Sequence, residues 1–175
     1  WVMLPPLLSM LAALMLACNW GVNEKLHYAD QHYTLGLIAY SKGDAAEEER
    51  RYLEALKTNP VHTASLGNLG ALYLEKNDLD AAEKYLDRAR RTPNAAAAHW
   101  NSWAQLREKK GDITSAVQGY RKALEMDAGL AAAWWRLGEI SKANGDGVRA
   151  KRYLDRALAL EPENERYREA LAPTG

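Results

Sequence analysis

The sequence predicts an all-α fold: a solenoid of four helix-turn-helix repeats, closed by a C-terminal capping helix and preceded by an N-terminal transmembrane helix. Three observations carry this expectation. A shift of 34 residues aligns four windows without a gap, 29–62, 63–96, 97–130 and 131–164. Each window is punctuated at the same place, by Gly43-Asp44, Asn77-Asp78, Gly111-Asp112 and Gly145-Asp146. The first 23 residues carry no charge, whereas Glu24 onward is dense in both signs.

Composition narrows the function classes before any motif is read. The 23 Lys and Arg balance 23 Asp and Glu, so no net field draws in nucleic acid or another polyanion. With 47% hydrophobic and 26% charged residues the chain is an ordered protein. The single cysteine, Cys18, excludes an intrachain disulfide and a thiol-rich metal site.

The N-terminal stretch 1–23 is long enough, as a helix, to approach the roughly 30 Å hydrocarbon core of a bilayer. Trp1 and Trp20 lie near its two ends, where indoles favour the membrane interfaces. Pro5-Pro6 is compatible with a first helical turn. A second reading stands beside the anchor. Leu14-Met15-Leu16-Ala17-Cys18 looks like a bacterial lipoprotein cleavage box, in which Cys18 would be acylated and become the new N-terminus, although Leu16 is bulky for that motif and no basic residues precede the apolar run. Either way the remainder is tethered to membrane lipid. Residues 24–28 read as a linker.

Within each window, the Gly-Asp pair reads as the turn of a helical hairpin. Glycine or asparagine suits the left-handed residue that closes a helix, and the aspartate side chain can cap the next one. Upstream of the turns run the columns His32, Leu66, Trp100, Trp134 and Leu35, Leu69, Trp103, Leu137, each of the latter followed by a small residue, Gly36, Gly70, Ala104 or Gly138. Downstream run Ala82, Ala116, Ala150, then Tyr52, Leu86, Tyr120, Leu154, then Ala55, Ala89, Ala123, Ala157. Spacings of three and four place these on helix faces, and small beside large lets two helices approach closely. Pro60, Pro93 and Pro162 end hairpins, with Ala128 substituting in the third. Residues Glu165–Leu171 begin a fifth window that stops at Pro173, which predicts a short capping helix and tail over 165–175.

This pattern resembles the tetratricopeptide repeat, whose period is 34 and whose Trp, Leu-Gly, Tyr, Ala, aromatic, Ala and Pro positions are matched most fully in the last window. Glu48 and His32 depart from it in the first window, as edge repeats often do. The resemblance implies that the first helices of successive repeats line a groove for a peptide or helix. Carried over by column, the groove residues are Tyr33, Leu37 and Tyr40, then Leu74, then Asn101 and Gln105, then Trp135 and Glu139. The basic cluster with which some family members hold a C-terminal carboxylate is not matched, since only Asn68 falls on such a place.

Chemistry of other kinds finds little support. His27 and His32 are five residues apart and do not share a helix face as an i, i+4 pair would, so with Asp30 they make no convincing metal site. No glycine-rich phosphate loop follows a strand, and no nucleophile, base and orienting acid can be named together. No catalysis, cofactor, metal, nucleic acid or small-molecule substrate is therefore expected. The expected partners are other protein subunits and membrane lipid. The sequence reads as a membrane-tethered scaffold or accessory subunit of a bacterial membrane protein complex, with the repeats in the periplasm. The alternative is a pilotin-like lipoprotein assisting secretin or type IV pilus assembly.

Overall fold

Aspartates 44, 78, 112 and 146 each do two jobs at once, and the fold is organised around them. The computed structural model describes the backbone of residues 6–171 and the side chains of 23–171. At every hairpin turn the aspartate N–H donates back to the preceding helix, to Ala39, Tyr73, Arg107 and Ser141 carbonyls at 2.9 to 3.0 Å. Its carboxylate then accepts from the third residue of the next helix, the N–H of Glu47, Ala81, Ser115 and Arg149. The residue before it takes a positive φ: 70° at Gly43, 58° at Asn77, 81° at Gly111 and 76° at Gly145. Asparagine tolerates this region better than other residues bearing a Cβ, which explains why it alone replaces glycine.

Among the described residues the chain forms nine α-helices and no strand. It divides into two compact units, Trp1–Leu66 and Gly67–Gly175.

The first unit is built on α1 (Pro6–Ser41) and α2 (Ala45–Thr58) and includes the start of α3 (Thr63–Glu75). Ala29, Gly36 and Ala39 of α1 are buried. A Cβ on Gly36 would lie 2.3 Å from the Tyr52 ring of α2, so the small-residue column is what lets these two helices meet. Tyr33 packs against Tyr52 with ring centroids 6.0 Å apart. The stretch 24–28, expected as a linker, is helical and continuous with the first repeat helix. Leu35 also departs from expectation. Its column reads as core, but Leu35 is 39% exposed among the described residues.

The second unit carries the rest of α3, then α4 (Leu79–Arg90), α5 (Ala97–Lys109), α6 (Ile113–Met126), α7 (Ala131–Ala143), α8 (Gly147–Leu160) and the cap α9 (Glu165–Leu171). Leu74, Ala82, Leu86, Trp103 and Leu106 form one core cluster, and Ala104, Ala116, Tyr120, Leu124, Ala133, Leu137 and Ile140 form the next. Gly138 repeats the close approach of Gly36, since a Cβ there would stand 2.6 Å from Leu154. The third repeat solves the same problem differently. Ala104 occupies the small column, and the space it takes is returned by Gly119, whose own added Cβ would meet Ala104 at 2.9 Å. Polar contacts tie neighbouring hairpins: Trp103 Nε1 donates to Asp87 at 2.8 Å, Lys110 pairs with Glu83 at 2.5 Å, and Arg107 also pairs with Glu83.

Among the described residues no helix is long and apolar enough to cross a membrane. The expected transmembrane segment 1–23 is described only in part: its backbone is helical from Pro6, whereas Trp1 and the side chains of Cys18 and Trp20 lie outside the described residues.

Candidate functional site

Helices α5 and α7 are first helices of adjacent repeats, so residues 34 apart sit side by side. Gln105 aligns with Glu139 and Asn101 with Trp135. Together with the first turn of α9 these helices wall a cavity of about 760 Å³, lined by Gln105, Glu108 and Lys109 of α5, Trp135 and Arg136 of α7, and Arg166 and Tyr167 of α9 among others.

Trp135 is the aromatic centre of this site. Its ring stacks on Tyr167 at 5.8 Å and is flanked by the guanidinium groups of Arg136 and Arg166, at 4.8 and 5.2 Å from the ring centroid. Cations over an indole face are held by the ring quadrupole, which keeps positive charge at the cavity wall. Arg136 is further fixed by an ion pair with Glu108, which also accepts a 2.8 Å hydrogen bond from the Tyr120 hydroxyl. Burial works against the Arg136 charge, but the adjacent Glu108 outweighs it and holds the guanidinium protonated. Burial, and secondly the charge of Glu108, pushes the Tyr120 phenol well above its ordinary value, so it remains a donor at any physiological pH. The cap is held in place by Lys142, whose ammonium donates to the Ala170 carbonyl at 3.0 Å.

Three buried polar atoms on the groove columns have no hydrogen-bond partner among the described residues: Asn101 Oδ1, Trp135 Nε1 and Glu139 Oε1. Buried polar groups are paired in the great majority of cases, and these three are exceptions enclosed by the protein's own atoms. Trp135 and Glu139 lie one turn apart on the same side of α7.

The expected groove residues fall into three groups. Gln105 and Trp135 line the cavity, while Asn101 and Glu139 occupy the adjoining columns with their orphan atoms. Leu74 does not present itself to a partner: it is buried in the core with Leu86 and Trp103, because its position on α3 points into the hairpin. Tyr33, Leu37 and Tyr40 belong to the first unit, where Tyr33 packs on Tyr52 and His62 while Leu37 and Tyr40 are exposed, Tyr40 at 60%. The cavity residues Arg166 and Tyr167 were not expected. Their signal lay in the register, since a fifth 34-residue window places Asn164 to Tyr167 beside Leu130 to Ala133.

The histidines serve structural contacts. His27 bonds Gln31 at 3.0 Å, Asp30 meets His62 at 3.0 Å, and His32 lies 3.5 Å from Arg51. Among the described residues no group of three or more His, Cys, Asp or Glu converges as a set of metal ligands.

Stacked hairpins, an inter-repeat register of 34 and a polar, aromatic cavity on the first helices define a repeat scaffold that holds other proteins. Tetratricopeptide-repeat family models match residues 33–97 and 108–172, and the chain belongs to that family. It is 30% identical over 96 residues to human tetratricopeptide repeat protein 7B, which covers 55% of this chain but only 11% of that protein. Its fold is similar to that of Pseudomonas aeruginosa pilF, with a TM-score of 0.74 at 18% identity, covering 86% of this chain and 68% of the other. It is similar also to PilW, a type IV pilus biogenesis factor, with a TM-score of 0.68 at 14% identity over 82% of this chain and 70% of the other.

Proposed function

We propose that this protein is a membrane-tethered scaffold, in a bacterium, that binds and stabilises a membrane protein complex by holding a segment of one subunit in the cavity between α5, α7 and α9. The observation that carries the reading is the cavity of about 760 Å³ walled by Gln105, Trp135, Arg136 and Tyr167, in which the Trp135–Tyr167 stack is flanked by two guanidinium groups. A bound segment packs an apolar side chain on the Trp135–Tyr167 stack, where large area is buried at small entropic cost. Tethering through the uncharged segment 1–23 raises the effective concentration of the groove beside membrane partners. The periplasm is the compartment into which either an anchor or a lipoprotein signal would deliver the repeats.

A photo-crosslinking residue at position 105, in the full chain extracted from membranes, tests the groove. It should capture a discrete membrane-complex subunit, while the same residue at the exposed position 121 on α6 should not. Equal capture from both positions, or none from 105, would refute the groove assignment.

The second reading, a pilotin-like lipoprotein acting in secretin or type IV pilus assembly, is favoured by Ala17-Cys18 and by the likeness of fold to PilW. Mass spectrometry separates the two. A diacylated N-terminal Cys18 selects the lipoprotein, and an intact peptide spanning 1–17 selects the anchor.

A further inference from the structure

The outer side of α8 gathers like charges where the helix itself gains nothing from them. Arg149, Arg152 and Arg156 are spaced by three and then four residues, so they share one flank, and all three are exposed. Cations at these spacings repel one another and weaken a helix. The carboxylates nearby are already engaged. Asp146 caps α8 and pairs with Arg149 at 3.1 Å, while Asp155 pairs with Lys151 at 2.7 Å. Among the described residues the guanidinium groups of Arg152 and Arg156 have neither an ion pair nor a hydrogen bond.

An apolar side chain stands among these charges. Val148 lies one turn before Arg152 on the same side of α8 and is 81% exposed, more than any other large apolar residue described. The matching flank of the preceding second helix continues the pattern. Gln118 and Lys122 of α6 stand 34 residues before Arg152 and Arg156, so that flank adds a cation, which pairs with Glu125 at 3.0 Å, and a neutral amide. None of the residues lining the cavity beside Trp135 lies on α8, so this surface is separate from it.

Unmet guanidinium charge beside a protruding apolar side chain matches the surface of an anionic bilayer. The headgroups accept from the guanidinium groups, the arginine stems reach along the boundary, and an apolar side chain enters the acyl edge. Nucleic acid would meet the charge but leave Val148 in water, and the balanced charge of the whole chain supplies no field to recruit it.

We infer that the Val148, Arg152 and Arg156 face of α8 rests on anionic lipid headgroups. The inference builds on the membrane-tethered reading above: the tether holds the repeats near a bilayer, and this face sets which side of the last hairpin turns toward it.

The test uses the full chain with vesicles of phosphatidylcholine, alone or mixed with phosphatidylglycerol. A fluorescent amino acid at position 159, exposed on α8 just beyond Arg156, should be quenched by a headgroup-attached quencher only when phosphatidylglycerol is present. The same probe at position 105, in the groove, should not be. Each cation close to an anionic surface counts for about fivefold in binding, so R152Q/R156Q should lower the ratio of docked to free α8 about twentyfold. Val148→Ser should weaken the quenching as well. Both arginines are exposed and unpaired, so the double variant should keep the helical circular dichroism of the parent. Flotation with phosphatidylcholine vesicles reports the tether by itself. A chain that floats with them but shows equal quenching at 159 with and without phosphatidylglycerol keeps its tether and overturns this face. A chain that fails to float with them, yet is quenched at 159 in anionic vesicles in an arginine-dependent way, loses the tether and keeps the face. Quenching unchanged in R152Q/R156Q, or equal at 105 and 159, would overturn the assignment. So would arginine-dependent binding of a polyglutamate peptide without any response to phosphatidylglycerol, which would give the face to an acidic protein.

Discussion

Replacing Gly138 with alanine sets two known magnitudes against each other. In an exposed helix the change would help, since glycine costs about 1 kcal/mol relative to alanine. Here the new methyl would lie 2.6 and 2.7 Å from Leu154 Cδ2 and Cγ and 3.4 Å from its backbone nitrogen. Ordinary carbon contacts fall near 3.5 to 4.0 Å, so α7 and α8 must part by about an ångström or Leu154 must leave its rotamer. Leu154 is buried and cannot swing into solvent. Overpacking of this kind costs about 1–3 kcal/mol, and the net effect should be a loss of about 0–2 kcal/mol. Urea unfolding followed by circular dichroism at 222 nm measures it. Gly147→Ala serves as the control, because nothing lies within 4 Å of a Cβ at that position and the variant should not lose stability. A Gly138→Ala protein more stable than the parent would show that close approach of the two helices is not what the small-residue column provides.

Two further outcomes follow from the same packing. Ala116→Leu, in a fully buried site facing Ala104 and Leu137, should destabilise by on the order of 1–3 kcal/mol, and an unchanged melting temperature would contradict the helix register. His99 is held below its ordinary pKa by burial, while its ring nitrogen accepts the Ala96 N–H at 2.9 Å. The folded state then binds fewer protons than the unfolded one, so stability is complete above about pH 6.5 and declines as the pH falls through that value. Thermal melts at pH 7.5 and 5.5 should show this loss, and His99→Asn should shrink it; an equal loss in the variant would assign the effect to other groups.

Much of the hairpin geometry was readable from residue type because the determinants are local. A left-handed residue followed by aspartate specifies a turn whatever the surroundings, and all four turns take that form. The cap over 165–171 followed from a proline and an interrupted register. The site was less readable. Leu74 and Glu108 stand at equivalent places, 34 residues apart, yet one is sealed by Leu86 and Trp103 while the other opens on the cavity, a difference set by neighbours far away in sequence. The Trp135, Tyr167 and Arg166 grouping depends on how the cap settles, which no single window encodes. Nor did periodicity reveal that Leu35 is partly exposed among the described residues, since a column records what a position can bury and not whether anything arrives to bury it.

Because α1 passes without interruption from residue 6 into the first hairpin, the apolar segment and that hairpin turn together like the two ends of a rod. Their relative azimuth is set by residue count alone, at about 100° per residue. Inserting one residue between 24 and 28 would swing the first hairpin a quarter turn or more about the helix axis, whereas inserting seven would restore its heading to within about 20°. Deletions and insertions here should therefore be tolerated in step with the helical period and not in order of size.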